Sequence, residues 1–167
     1  NIGMGYLIDK LSSMMMVVVL LISFVVHVYS IGYMRDEKDF KRFFSYIALF
    51  TFSMILLVMS NNLIQLFIGW EGVGLVSYLL IGFFYKKESA IKANLKAFLI
   101  NRIGDMFFII GIIMVFVLLD SFDYKTMFSN LKLVDLSNLD YYYGFSYIDI
   151  ACFFLFIGAM AKSAQIP

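Results

Sequence analysis

The sequence is short of every residue that would build a compact, cross-linked or metal-centred domain. It has one cysteine, one proline, one histidine and one tryptophan in 167 residues. A lone cysteine, Cys152, cannot close a disulfide within the chain, and its apolar neighbours offer no metal-ligand spacing. It reads as a packing residue. A lone proline, Pro167, leaves the rest of the chain free of the strongest helix breaker. Charge is scarce and balanced, with 13 Lys+Arg against 12 Asp+Glu for a net charge of +1. That balance removes the electrostatic basis for nucleic-acid binding. Strand-like alternation of polar and apolar residues is also missing.

What the sequence has in excess is apolar side chain. The apolar share is 62% and the mean hydropathy +0.89, against roughly 45–50% apolar content in soluble domains. A water-soluble core cannot absorb that much, so lipid is the expected solvent. The abundance of Phe, Tyr and Met also fits an AT-rich coding genome such as a mitochondrion's.

Five long apolar segments stand out, near 14–34, 43–60, 63–85, 91–119 and 147–162, each about the length that crosses a bilayer. The expected fold is all-α, a polytopic transmembrane helix bundle of about five spanning helices. The organisation is a lead-in over 1–13, four spans over 14–119, a polar and aromatic loop over 120–146, and the first part of a broken spanning helix over 147–167. Without an initiator Met, and with a polar KSAQIP at its end, the chain reads as a piece of a longer membrane protein.

The connectors set an expected orientation. Arg35, Lys38, Lys41, Arg42, Lys86, Lys87, Lys92 and Lys96 fall on one face of five alternating crossings, and only Lys10, Lys125 and Lys132 on the other. Eight against three places loops 35–42 and 86–96 inside. The lead-in and the 120–146 loop then lie outside, where Tyr141, Tyr142, Tyr143 and Tyr147 suit an interfacial aromatic belt.

Against this background the charges inside the spans carry the information. Glu71 follows Trp70 in the run NLIQLFIGWEGVGLVSYLLIGFFY, which holds no other charge. A carboxylate at the bilayer centre costs on the order of 3 kcal/mol on insertion scales. An acid kept at that depth is by default part of an ion or proton path. At 1.5 Å per residue, Glu71 and Asp105 each lie roughly 14 Å deep and Lys162 roughly 20 Å, with Arg102 somewhat shallower than Asp105. Two acids and two bases thus share a middle layer.

Arg102 and Asp105 are spaced i,i+3 and share a helix face, as a self-contained ion pair or as a pair that also touches a neighbouring helix. Lys162 either snorkels to the basic interface or pairs within the layer, where Glu71 is the natural partner. Desolvation favours a neutral amine and a nearby carboxylate favours the ammonium. A lysine whose carboxylate can approach or withdraw is therefore a switchable proton carrier. Pro167 favours a helix broken at this depth, which needs a cavity or water to satisfy its backbone. His27 reads as a satisfied packing histidine, with a relay role as the alternative. Gly69, Gly72 and Gly74 read as close helix packing that also leaves room beside Glu71, and Lys92 and Lys96 as facing solvent or headgroups.

Three blocks then point to a family. WEGVGLVSYLLIGFFY at 70–85, NRIGD at 101–105 and GAMAKSAQIP at 158–167 resemble, in the expected order, the signature blocks of the antiporter-like subunit 5 family of NADH:ubiquinone oxidoreductase (respiratory complex I). HVYSIGYM at 27–34 and the stretch 44–72 resemble what precedes them, and the 120–146 loop is the weakest part of the match. The Gly-Val-Gly-Leu after Glu71 distinguishes subunit 5 from its antiporter-like relatives.

The resemblance implies a proton-translocating membrane subunit of an NADH:quinone reductase in the mitochondrial inner membrane, with basic loops 35–42 and 86–96 on the matrix side. Bacterial and plastid counterparts are the alternative setting. It further implies that Glu71 and Lys162 are the proton-transfer pair and that Arg102 and Asp105 modulate them. NADH, flavin, iron–sulfur clusters and quinone would bind other subunits, so no cofactor is expected on this chain. The expected partners are other complex I membrane subunits, above all the adjacent antiporter-like subunit 4, together with lipids. The first two helices of the family and the second half-channel have no counterpart in these residues. Two other functions fit the same charges: the large subunit of an Mrp-like cation/proton antiporter, and a passive membrane scaffold.

Overall fold

The computed structural model describes residues 3–133, 141–142, 145–163 and 165. The chain divides into two compact units, one covering Met4–Lys96 and the other covering Gly3 together with the chain from Ala97 onward.

The first unit contains helices α1 (Lys10–Tyr33), α2 (Phe40–Val58) and α3 (Leu63–Ile81) and the first turns of α4 (Glu88–Leu119). α1 begins where Asp9 and Ser12 cap each other. The Asp9 carboxylate accepts from the Ser12 backbone N–H at 2.7 Å, and the Ser12 hydroxyl accepts from the Asp9 N–H at 2.8 Å. This satisfies two donors at the helix end reciprocally. α3 begins at Asn62, whose side chain accepts from the Gln65 N–H at 2.7 Å.

The lead-in is tied to the α2–α3 turn. Tyr6 bridges Ser60, Leu7 donates to the Met59 carbonyl, and Gly5 donates to Gln65 Oε1 at 3.2 Å. α2 and α3 then run close together, because a Cβ on Gly69 would stand 2.7 Å from the Leu57 backbone nitrogen. A Cβ on Gly72 would stand 2.8 Å from Ser53 Oγ. Gly69 and Gly72 are therefore packing glycines, with Ser53 donating back to its own helix at Leu49 O.

The second unit holds the rest of α4, then α5 (Tyr124–Leu133), a two-stranded hairpin of β1 (Tyr141–Tyr142) and β2 (Phe145–Ser146), and α6 (Tyr147–Lys162). The strands are antiparallel, with Tyr141 opposite Ser146 and Tyr142 opposite Phe145. α4 stops at Asp120, which takes a left-handed conformation (φ 51°). Asn130 of α5 donates its side-chain amide to the Leu119 carbonyl at 2.7 Å, supplying one partner for the carbonyls that every helix end leaves open. Phe122 stacks on Phe116 at 4.2 Å to close the turn.

Among the described residues, four helices, α1 to α4, are long and apolar enough to cross a membrane. α6, at 16 residues, is the fifth apolar helix. The fold is thus all-α and polytopic, with the small hairpin as an addition. Large apolar side chains such as Val17, Leu21, Phe24 and Val117 are exposed along the spans, the pattern of surfaces solvated by lipid. Three features differ from the sequence reading. The 120–146 stretch contains α5 and the hairpin. α1 starts four residues earlier than its apolar run, at its cap. Cys152 is exposed on α6 and is not packed inside the chain, since its helix turns other positions, Ala151 and Gly158, inward.

Candidate functional site

α4 and α6 meet along a seam of small residues. Gly104, Gly111 and Gly158 each face the opposite helix so closely that no side chain fits. A Cβ on Gly104 would collide with the Cβ of Ala161. One on Gly111 would stand 2.8 Å from Leu155 Cγ, and one on Gly158 would stand 2.7 Å from Phe108 Cβ. Phe107 and Phe154 stack across the seam at 5.9 Å. Small residues at such positions let helix backbones approach where no hydrophobic driving force exists between helices in lipid.

The seam carries an ion pair. Asp105, next to Gly104, is buried with 6% of its side chain accessible. Lys162, the last residue of α6, is 16% accessible and places Nζ 3.9 Å from Asp105 Oδ1. Two other features support the lysine at this spot. α6 is fixed at its start by Ser146 and Asp149, which form a capping box. At its end the ammonium lies near the helix C-terminus, where the macrodipole favours positive charge. Ser163 closes that terminus by donating to the Ala159 carbonyl at 2.9 Å.

The four charges singled out in the sequence therefore fall as follows. Asp105 and Lys162 are brought together. Arg102 is exposed, with its guanidinium 5.3 Å from the Phe98 ring centre, a cation–π distance. Glu71 is half-buried in the middle of α3, between Gly69 and Gly72, and belongs to the first unit. Sequence reasoning offers Glu71 as the natural partner of Lys162 and Arg102 as one partner of Asp105; the structure adds a contact between Lys162 and Asp105. The break expected at Pro167 lies outside the described residues.

Sequence reasoning also passed over Gly104, Gly111, Gly158 and Ala161. A signal was present: Gly104 and Gly111 are seven apart, two turns of one helix face, and the first adjoins the buried acid.

His27 has a different environment. Its Nδ1 donates to the Ser23 carbonyl at 2.7 Å, and its ring meets Phe44 edge-on at 6.0 Å. Ser23 and Thr51 share a hydroxyl contact at 2.6 Å between α1 and α2, and Thr51 donates to the Ile47 carbonyl. The order of donors is thus Ser23 to Thr51 to Ile47, a neutral chain that satisfies its polar groups within an apolar layer, as buried polar groups require.

A transmembrane family model described as NADH:quinone oxidoreductase/Mrp antiporter matches residues 60–167, and that of the complex I chain 5 N-terminus matches residues 1–44. The chain belongs to the NADH:quinone oxidoreductase/Mrp antiporter family. Within it, the chain is 54% identical to NADH-quinone oxidoreductase subunit L of Neisseria meningitidis serogroup A, over 100% of its own length and 25% of the relative's. It is 54% identical to subunit L of Rickettsia conorii over 95% of its length and 24% of the relative's. It is 45% identical to NADH-ubiquinone oxidoreductase chain 5 of Phytophthora infestans, over 99% of its length and 25% of the relative's. The chain spans about a quarter of the length of the curated relatives it matches. Family membership and the apolar helices together make it a multi-pass membrane protein of a respiratory membrane.

Proposed function

We propose that this chain forms one half of a proton path in the antiporter-like subunit 5 of a proton-translocating NADH:quinone oxidoreductase. Lys162 is the proton carrier, and Asp105, Glu71 and Arg102 set its charge state. The observation that carries this reading is the Asp105–Lys162 pair, a buried acid and a largely buried base 3.9 Å apart on different helices. Ionisable groups kept within spanning helices at such cost mark ion and proton pathways.

At 3.9 Å the pair sits at the outer edge of ion-pair distance, and Coulomb attraction in a low-dielectric layer changes steeply with separation. A small shift of α6 against α4 then decides whether Lys162 holds its proton. With a carboxylate close, the ammonium is kept. When that carboxylate withdraws or takes another cation, the proton leaves along a hydrated path. Glu71, on α3, is the second acid of the path, and Arg102 is the competing cation for Asp105 through their i,i+3 spacing. Redox chemistry elsewhere supplies the energy. NADH, flavin, iron–sulfur clusters and quinone bind other subunits, and the partners are the other membrane subunits, above all subunit 4, and lipids. The basic loops 35–42 and 86–96 face the matrix or its bacterial equivalent.

The test is made on the intact complex in proteoliposomes, measuring protons moved per NADH oxidised. Lys162→Ala and Glu71→Gln are each expected to lower that ratio. A complex that pumped at full stoichiometry with either variant would sink the proposal, and the same result with both together would establish a scaffold role. The family description also covers Mrp antiporters. Sodium–proton exchange that persisted without quinone reduction would favour that reading.

A further inference from the structure

The end of the first unit where α2 begins and α3 ends contains a second polar site, separate from the charged seam. A cavity of about 270 Å³ is lined by Arg42, Tyr46, Tyr78, Gly82, Phe83, Tyr85 and Asn94, with Leu79 at its wall. These residues come from the start of α2, the end of α3, the turn that follows it and the start of α4. Two buried polar atoms on this lining lack a hydrogen-bond partner, Arg42 Nε and Asn94 Oδ1. One is a donor and the other an acceptor. A buried polar group left unsatisfied is costly, so the pair asks for a ligand that both accepts and donates.

The guanidinium is held in place. It lies 5.1 Å from the Phe83 ring centre and 5.8 Å from that of Tyr85, and Asp39 takes its Nη2 at 3.4 Å. Arginine so fixed loses little freedom on binding, and its planar fork suits phosphate. Three tyrosines ring the cavity, a residue type enriched where side chains meet lipid headgroups. Lys41 precedes Arg42, and Lys86 and Lys87 follow Tyr85. The volume is just below the roughly 300 Å³ at which drug-sized pockets begin, enough for a headgroup and too small for a whole lipid.

We infer that this cavity binds the headgroup of an amine-bearing phospholipid, of the phosphatidylethanolamine class. The phosphate accepts from Arg42 Nε, and the ammonium donates to Asn94 Oδ1 against the tyrosine faces. Phosphatidylcholine carries the same phosphate and has no N–H to give Asn94.

The experiment is native mass spectrometry of the full-length membrane protein in detergent, after exchange with vesicles of dioleoyl phosphatidylethanolamine or of dioleoyl phosphatidylcholine. The parent protein is expected to retain one more phosphatidylethanolamine than Arg42→Ala or Asn94→Ala, with about tenfold weaker retention in each variant, the scale of one hydrogen bond to a charged group. Arg42→Lys, which keeps the charge and guards against a folding defect, is expected to lose the same lipid. Lys92→Ala, at an exposed surface pair with Glu88, is expected to leave retention unchanged. Equal retention in parent and Asn94→Ala would overturn the inference. So would equal retention of phosphatidylcholine, or displacement of the lipid by millimolar inorganic phosphate alone.

Discussion

The two helix seams of this chain are built with the same device and filled differently. Between α2 and α3, Gly69 and Gly72 bring the backbones together, and the polar atom met there is Ser53 Oγ, already bonded to its own helix. Between α4 and α6, Gly104, Gly111 and Gly158 bring the backbones together in the same way, and the same two helices carry the Asp105–Lys162 pair. Glycine fixes the distance in both cases. The difference lies in the groups carried across each seam: a hydroxyl bonded to its own helix at the first, an acid and a base at the second. Close packing alone is therefore structural, whereas close packing around opposite charges holds them at a separation where small movements matter.

That comparison can be broken most directly at the acid. Asp105→Ala removes the carboxylate set against a largely buried ammonium, and loss of one member of a buried pair costs about 3–5 kcal/mol. The expected result is poor assembly of the complex on native gels and loss of most pumping. Asp105→Leu with Lys162→Met should restore assembly, because buried pairs break even with apolar replacements, and should leave pumping absent. Recovery of pumping in that double variant would reduce the α4–α6 seam to the same structural class as α2–α3.

Next come the glycines. Gly69→Ala and Gly158→Ala both force a Cβ against backbone or near-backbone atoms, and overpacking of this kind costs about 1–3 kcal/mol. Thermal unfolding in detergent should show similar losses for the two. Only Gly158→Ala should also alter the proton-to-electron ratio, since only it moves the charged pair. A smaller effect is expected from Thr51→Val, which removes one neutral link between α1 and α2, about 1 kcal/mol by the same assay.

The smallest effect concerns Asp9, outside the spans. The Ser12 backbone N–H and hydroxyl hold its carboxylate below the ordinary value near 3.8. Because the folded-state value is depressed, its capping contribution is complete above that ordinary value. It is lost as pH falls through the lower folded one. The protection of amides at the first turn of α1, relative to their intrinsic exchange rates, should fall on acidification below about pH 4, the ordinary carboxylate range, and Asp9→Asn should flatten that dependence.

The spans were legible because lipid demands long apolar runs, and the connectors between them are the places where charge collects. α5 and the hairpin were not. Residues 124–133 are too polar to register as a span and too short to show a firm period, and strands of two residues carry no alternation. The start of α1 was legible in principle from Asp9 and Ser12, three apart, though hydropathy alone sets the boundary later. The individual site residues Glu71, Arg102, Asp105 and Lys162 announce themselves as charges in apolar surroundings. Their pairing does not, because periodicity describes one helix at a time. The lateral contact is written in Gly104, Gly111 and Gly158, which hydropathy counts only as gaps.

Those three glycines have a genetic consequence. Every other amino acid carries a Cβ, and at each of these positions that first carbon already meets another atom too closely. No missense change there is conservative, whatever the polarity or size of the new residue. At these three positions a missense substitution has no mild outcome, and inherited variation there should be confined to silent codon changes.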